Sequence, residues 1–449
     1  MMVKAVMSDQ LIGTAPAALK QREGVNASFA VGSPAARCVS AQSHASNAWN
    51  QNWDSSNPGN QNNNNKTNAN RVRAVRRPKL AGMDNLPTAE EIFFAYYECR
   101  KTKRNTWNAL KFEERLERNL MQLLHELRNG EYQIGTSECF VVTHPKVREV
   151  WAADFRDRIV HHLLYRRISP HFHARFISDT YACIPERGTH RAVDRVEKML
   201  RSASQDRRDA VWYLKCDIAN FFVSIDKGVL DDALAAELGD QTWTMRLARQ
   251  ILHHNPTENV RIKSPACLMK SVPPHKSLFN AGGNGLPIGN LSSQFFANVY
   301  LNALDQHIKR QPWGRHYVRY VDDMVVVSRN VADLWQAAQE IDRFLKSRLG
   351  CALHQRKTQI MPAASGMPFL GFVLRPWSRY IKRETDRNAR RSLQGKCRAK
   401  EKPKSIQATA NSFFGIFRQA NGWRARERLA TILRSHGHLV SPKLNRMFA

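Results

Sequence analysis

The segment that most constrains the fold is His316–Ser328, in which apolar residues stand on both sides of two adjacent acids. Tyr320-Val321-Asp322-Asp323 is flanked by β-forming residues, so we expect a hairpin with the acids at its turn. Two adjacent ionised carboxylates repel each other unless a cation offsets the repulsion. The segment therefore predicts either an ordinary Asp-rich turn or a cation site at the end of a hairpin.

A second apolar stretch, residues 211–218, reads as a strand that ends at Asp217. If this strand neighbours the hairpin, Asp217 and Asp322 could share two Mg²⁺ ions, because carboxylate oxygens are the ligands that Mg²⁺ prefers. Two ions about 4 Å apart would activate a 3′-hydroxyl and stabilise a leaving pyrophosphate in phosphoryl transfer. Asp226, the next acid along the chain, is expected to be structural.

Between these acids, residues 285–301 form a Gly-Pro-Gly loop followed by an amphipathic helix, which is weak evidence of function alone. Other helical patterns cover Phe155–Ile168, Ser292–Lys309 and Asp333–Leu349, and a further strand pattern covers residues 367–374. Helices interspersed with a few strands predict an α+β fold, with an antiparallel sheet covered by helices on one face.

Charge is unevenly distributed along the 449 residues, whose net charge is +30. Residues 1–82 hold a net +7 and residues 375–449 a net +15. Such an excess indicates a polyanionic partner, with nucleic acid favoured over an anionic membrane surface. No stretch approaches the roughly 18 apolar residues of a membrane-spanning helix. Eight scattered cysteines without a Cys-x-x-Cys pair indicate reduced thiols and a cytoplasmic location.

Composition also divides the chain into three parts. Between residues 47 and 70, 11 of 24 residues are Asn, so residues 1–82 are expected to be a disordered, Asn-rich basic leader. Thr88 and Glu91 form a capping-box pattern, so the folded part is expected to begin near Met83. In the basic C-terminal part, residues 413–433 show helical spacing, which favours folded structure over a solvated tail.

Taken together, the motifs resemble the palm of reverse transcriptases, which are RNA-directed DNA polymerases. In family order they are motif A at Asp217, motif B at Gly285–Gln294, motif C at 320–323, a motif D candidate at Lys357, motif E at 369–372, and upstream fingers motifs at 144–164 and 181–193. The resemblance implies a right-hand polymerase, with fingers and palm in residues 83–374, an antiparallel palm sheet, and a small basic helical thumb in residues 375–449. Tyr-x-Asp-Asp favours synthesis of DNA.

The resemblance also implies a role for each acid. Asp217 and Asp322 would bind two Mg²⁺ ions, Asp323 would support them, and the backbone carbonyl of Ile218 would complete one coordination shell. Lys357 would donate a proton to pyrophosphate, or alternatively contact a phosphate or the template.

Further residues are implied to bind nucleotide or nucleic acid. Phe222 falls at the family's steric gate against ribose, or is simply a core Phe. Arg148 and Arg158 would grip the triphosphate, or lie on the surface or template side. Ile288, Gly289 and Gln294 would lie near the nascent base pair. The thumb would present to the template–primer duplex Arg418, Arg424, Arg426 and Arg428.

One variant narrows the family further. The Ile288–Gln294 segment has an Ile-Gly-x-x-x-Ser-Gln pattern and, with His275–Phe279, resembles the reverse transcriptases of diversity-generating retroelements. That type copies a template-repeat RNA with errors at adenines, and a small basic oligomeric accessory protein binds the enzyme. The Asn-rich leader would then be a translated template repeat, or else a natural disordered arm.

The sequence leaves two alternatives to this interpretation. One is a reverse transcriptase of the retron, group II intron-like or phage-defence type. The other is a non-catalytic RNA-binding scaffold.

Overall fold

The computed structural model describes residues 47–52, 60–65, 83–101, 106–143, 146–205 and 208–447. The chain divides into two units, Thr14–Lys79 and the remainder, which comprises Met1–Gly13 and Leu80–Ala449. In the first unit, strands β1 (Asn47–Asn52) and β2 (Asn60–Asn65) pair antiparallel. This ladder differs from the disorder expected of the Asn-rich leader, because backbone hydrogen bonds can pair such segments without a packed core. The rest of residues 1–82 lies outside the described residues.

The second unit begins, within the described residues, at Met83, whose carbonyl accepts a hydrogen bond from the Thr244 amide at 3.1 Å. The capping box predicted from Thr88 and Glu91 is present and starts the first helix. Helices and strands then follow in the order α1 (Ala89–Arg100), α2 (Trp107–Glu113), α3 (Leu116–Asn129), β3 (Ser137–Val142), β4 (Arg148–Ala152), α4 (Phe155–Arg175), α5 (Thr189–Ala203), β5 (Trp212–Cys216), α6 (Phe221–Ser224), α7 (Lys227–Leu238), α8 (Trp243–His253), β6 (Val260–Ile262) and α9 (Ala266–Lys270).

The second half of this unit contains the predicted hairpin and the basic C-terminal helices. Its elements are α10 (Leu291–Lys309), β7 (Tyr317–Tyr320), β8 (Asp323–Ser328), α11 (Val331–Arg348), β9 (Gln359–Pro362), β10 (Met367–Phe369), β11 (Phe372–Arg375), β12 (Ser378–Ile381), α12 (Arg383–Arg398), α13 (Pro403–Arg418) and α14 (Trp423–Ser435). The prediction of an α+β fold with an antiparallel sheet and C-terminal helices is confirmed.

The central sheet has the strand order β7-β8-β5-β9, and every neighbouring pair is antiparallel. Smaller sheets join β4-β3-β6 and β10-β11-β12. In the central sheet Tyr320 pairs with Asp323 across the hairpin, and Cys216 pairs with Met324. This register decides which end of the sheet carries the acids.

The central sheet is covered on both faces, so the prediction of helices on one face is wrong. Leu214 and Val326 point into a core shared with α10 and α11. Tyr213 and Val325 point into a second core shared with α5 and the β10-β11-β12 sheet. The sequence of β8 shows why. A strand that is covered on both faces is continuously apolar, and the central residues of β8 are all apolar and buried.

The C-terminal helices α12, α13 and α14 enclose a third core of their own. Leu393, Phe414 and Leu429 are fully buried at its centre, one from each helix. The helical spacing seen in residues 413–433 thus belongs to a three-helix bundle.

Candidate active site

The turn between β7 and β8 consists of Val321 and Asp322, with Asp323 as the first residue of β8. Val321 has φ = 56°, which is a rare backbone conformation for a β-branched residue. Strained turns of this kind persist only where surrounding contacts hold them, and they cluster at functional sites. The hairpin predicted from the sequence is therefore present, with both acids partly exposed at its end.

Asp217 lies at the same end of the sheet as these two acids. The β5–β8 ladder pairs Cys216 with Met324, and one residue further the same register places Asp217 beside Asp323. The carbonyl of Asp217 accepts a hydrogen bond from the amide of His354 at 2.7 Å, which holds the end of β5. The side chain of Ile218 is buried, and its backbone forms a bridge with Leu353.

Lys357 lies at the acidic end of the sheet, which is the end that carries Asp217, Asp322 and Asp323. Its ammonium donates a hydrogen bond to Oδ2 of Asp217 and forms an ion pair with it. The lysine side chain is 46% exposed, whereas that of Asp217 is 11% exposed. The sequence identified Lys357 only as a motif D candidate, and its contact with Asp217 is a finding of the structure.

The acidic end has the donor chemistry of a divalent-cation site, although it is not assembled as one. Within the described residues, no group of three or more His, Cys, Asp or Glu side chains is arranged to hold a metal ion. Carboxylate and carbonyl oxygens nevertheless suit Mg²⁺. Asp217, Asp322 and Asp323, with the Ile218 carbonyl, are the residues that would hold such an ion.

The loop before α10 is held between two elements. On one side, the amides of Gly285 and Leu286 donate to the carbonyls of Ile225 at 2.8 Å and Phe222 at 2.7 Å. On the other side, the amide of Trp151 in β4 donates to the carbonyl of Ile288 at 2.7 Å. The loop therefore lies between the segment of Phe222 and Ile225 on one side and Trp151 of β4 on the other.

Comparison with known proteins decides the family. Residues 144–374, more than half of the chain, match the family described as reverse transcriptase (RNA-dependent DNA polymerase). The chain belongs to this family. The match spans the acids, the loop before α10, and β4, and membership agrees with the right-hand polymerase fold predicted from the motifs.

Individual relatives are distant. Protein YkfC of Escherichia coli (strain K12) is 25% identical over 308 residues, which cover 61% of this chain and 76% of that protein. Two structures of apo telomerase from Candida tropicalis are 12% and 10% identical, with TM-scores of 0.42 and 0.40. The matches cover 68% and 56% of this chain, but only 57% and 55% of the telomerase chains.

Gln294 lies in the first turn of α10, and it is buried. Its Oε1 accepts a hydrogen bond from Sγ of Cys183 at 3.0 Å. Burial raises the pKa of the Cys183 thiol to about 12, so it remains a protonated donor. The contact joins motif B to the 181–193 segment.

Two arginines were predicted to grip a triphosphate. Arg148 begins β4, is partly exposed, and pairs across the ladder with Val142. Arg158 lies on α4, and its Nε donates to the carbonyl of Ala153 at 2.7 Å. Arg158 thus holds the link between β4 and α4, so part of its guanidinium has a structural task.

Of the four arginines predicted to face a duplex, three lie on α14 and Arg418 lies at the end of α13. Arg424 and Arg428 on α14 line an open groove with Trp423, next to Arg390 of α12. Arg428 donates to Oδ2 of Asp386 at 2.9 Å. Arg426 lies over the Trp423 ring and donates to the Lys443 carbonyl, whereas Arg418 ends α13 and is exposed.

The sequence interpretation missed two buried charged residues. Glu149 is only 4% exposed and accepts hydrogen bonds from Nε1 of Trp151 at 2.6 Å and from Oγ of Ser277 at 2.6 Å. It fastens the His275–Phe279 segment to β4. Arg319, in β7, is fully buried. For Arg319, a charged residue within the run Tyr317–Val321 was the available signal.

Among the described residues, no helix has the length and apolar character needed to cross a membrane.

Proposed function

We propose that this reverse transcriptase copies a template-repeat RNA into adenine-mutagenised cDNA for diversification of a target gene, by two-metal nucleotidyl transfer. Its substrates would be deoxynucleoside triphosphates and an RNA template that becomes an RNA/DNA duplex. The observation that carries the catalytic part is the β5–β8 register, which brings Asp217 to the hairpin acids Asp322 and Asp323.

Each residue of the acidic end has a task in this proposal. Asp217 and Asp322 bind the two Mg²⁺ ions, and Asp323 supports them. When bound, the two ions would supply the acidity that the primer 3′-hydroxyl needs and the positive charge that the leaving pyrophosphate needs. Lys357, which forms an ion pair with Asp217, would give a proton to that pyrophosphate.

Selection of the sugar is assigned to Phe222. Its backbone carbonyl holds the amide of Leu286 at 2.7 Å, so the ring sits on a short helix tied to the loop before α10. A bulky ring fixed at this place would crowd a ribose 2′-hydroxyl and admit deoxyribose.

The diversity-generating type is supported by the segments around β4. Ile288 offers an apolar side chain without hydrogen-bonding groups, and its carbonyl accepts a hydrogen bond from the amide of Trp151. The His275–Phe279 segment, also typical of that type, is fastened to the same strand by Glu149. Fewer hydrogen bonds near the nascent pair would loosen control of base pairing. A small basic oligomeric accessory protein would be the partner, and the cytoplasm the location.

Primer extension on an RNA template with Mg²⁺ tests the catalytic proposal. We expect the full chain to incorporate deoxynucleotides and Asp322→Ala to abolish incorporation. The matched control is Asp226→Asn, because the Asp226 carboxylate caps α7 by accepting from the amides of Gly228 and Val229, and Asn caps helices equally well. A wild-type chain that binds RNA without extending the primer would support the scaffold alternative.

Sequencing of the cDNA tests the mutagenic part separately. On a template with equal amounts of the four bases, we expect errors to concentrate opposite template adenines. Errors spread evenly over all bases would support a retron, group II intron-like or phage-defence enzyme, and would leave the polymerase proposal intact.

A further inference from the structure

Arg319 has more hydrogen-bond partners than an ion pair requires. It is the third residue of β7 and is fully buried. Its Nε and Nη2 donate to the carboxylate of Asp305 on α10 at 2.8 Å and 2.6 Å. These two bonds already form the bidentate arrangement that suits a guanidinium and a carboxylate.

The remaining nitrogen, Nη1, is directed at the catalytic hairpin. It donates to the carbonyl of Val321 at 3.0 Å and to Oδ1 of Asn298 at 3.0 Å. Val321 is the residue with φ = 56°, and it directly precedes Asp322. One planar side chain therefore holds both the strained turn and helix α10.

Asp305 and Asn298 are themselves fixed. The Asp305 carboxylate also accepts from Oη of Tyr317 at 2.7 Å and from Oγ1 of Thr180 at 2.9 Å. Asn298 donates through Nδ2 to the carbonyl of Ala182 at 2.8 Å. The network thus joins the hairpin, the helix of motif B and the 180–182 segment, and it leaves the guanidinium little freedom to move.

The charge of Arg319 is maintained inside the protein. Burial of the guanidinium opposes its charge, but the Asp305 carboxylate offsets this, and the pKa of Arg319 is raised above its ordinary value. A buried pair of this kind is a poor source of stability, since desolvation cancels much of the attraction. We therefore attribute to the Arg319–Asp305 pair a role in fixing local geometry and not in adding stability.

We propose that Arg319 is a positioning residue of the reverse transcriptase, which holds the Val321 carbonyl so that the Asp322 carboxylate faces Asp217. The inference rests on the proposed metal-binding role of these acids. Arg319 would not bind the metal ions itself. It would keep Asp322 in position beside the other acids that bind them.

The experiment must separate positioning from plain stabilisation. In the double variant Arg319→Met with Asp305→Asn, both buried charges are removed. The amide introduced at position 305 keeps one oxygen to accept from Oη of Tyr317, and its NH2 can donate to Oγ1 of Thr180. Neutral replacement of a buried ion pair is commonly tolerated by the fold. The Val321 carbonyl, however, loses its donor. Arg319→Lys serves as the second variant, because it keeps the charge but cannot reach Asp305 and Val321 together.

Two measurements are made on the full chain: single-nucleotide incorporation against Mg²⁺ concentration, and Mn²⁺ binding by EPR titration, which needs no activity. For both variants we expect melting temperatures near wild type, kcat lowered roughly 10- to 100-fold, and an unchanged KM for the nucleotide. The Mg²⁺ concentration for half-maximal rate and the Kd for Mn²⁺ should rise together.

The matched control is Arg195→Met, which removes an arginine paired with Asp179 at 2.7 Å, outside the Val321 contacts. It should leave the metal requirement unchanged. Folded Arg319 variants with wild-type kcat, metal requirement and Mn²⁺ affinity would overturn the inference. Absence of polymerase activity in the wild-type chain, with Mn²⁺ affinity still dependent on Arg319, would overturn the proposed function alone.

Discussion

Replacing Gly289 by alanine should slow nucleotide incorporation while leaving the protein folded. A Cβ atom at this position would lie 2.3 Å from the carbonyl oxygen of Trp151, and Gly289 has φ = 132°. Because real Cβ contacts essentially never fall below 3.0 Å, the loop must move by about 0.7 Å away from β4. The backbone conformation adds a strain of about 1–2 kcal/mol.

The expected effect on rate follows from that displacement. A misplacement of about 1 Å in groups that position a substrate can cost roughly 100-fold in rate. We therefore expect Gly289→Ala to lower kcat/KM for single-nucleotide incorporation by roughly 10- to 100-fold. The displacement also breaks the hydrogen bond from the amide of Trp151 to the carbonyl of Ile288. This break should account for part of the lower rate.

The chain offers a matched control in the preceding loop. Gly282 also has a positive φ, of 60°, but nothing lies within 4 Å of its Cβ position. Gly282→Ala thus introduces backbone strain without the collision. Incorporation rates and melting temperatures of the two variants should be compared side by side. Equal loss of activity in both would refute the reasoning, because strain alone would then explain the effect.

Three further predictions concern the sugar, the thumb and pH. Phe222→Val should raise ribonucleotide incorporation relative to deoxynucleotide by roughly 10- to 100-fold, since less bulk opposes the 2′-hydroxyl. Arg379→Lys should shorten products without slowing the first incorporation, because Arg379 joins Glu197 of α5 to the Gln419 carbonyl after α13. His173→Phe should reduce the loss of folding stability at acid pH. Burial, together with the charge of Arg187, lowers the pKa of His173 to about 4. Its stabilising contribution is present above pH ~6.5 and is lost as pH falls towards 4.

Each of these predictions has a direct measurement and a contrary result. Competition between ribo- and deoxynucleotides measures the first, and an unchanged ratio would assign Phe222 to the core. Product lengths in the presence of a trap measure the second, and unchanged lengths would contradict the link to the thumb. Melting temperatures between pH 7.5 and 5 measure the third. Parallel curves for wild type and His173→Phe would show that folding does not lower the pKa of His173.

Local patterns were sufficient for much of the candidate site. The apolar runs around Asp322 and Asp323 predicted the hairpin, and the strand ending at Asp217 was found in the same way. The capping box at Thr88 was also predicted, because a helix cap is set by neighbouring residues.

Other features depended on partners distant in sequence. Burial of the central sheet on both faces was missed, although the continuous apolar run of β8 signals it. The Glu149–Ser277 contact joins positions 128 residues apart. No local pattern identifies such a partner, since any buried carboxylate needs donors but does not indicate which segment will supply them.

The sequence by itself determined that this chain is a reverse transcriptase and which acids stand at the ends of its strands. Those features follow from the period of apolar residues and from short motifs, which act over a few neighbouring positions. Only the tertiary structure decided that Lys357 pairs with Asp217 and that Arg319 holds the Val321 carbonyl. These contacts require the register of the sheet and the packing of α10 beneath it, which the whole folded chain sets together.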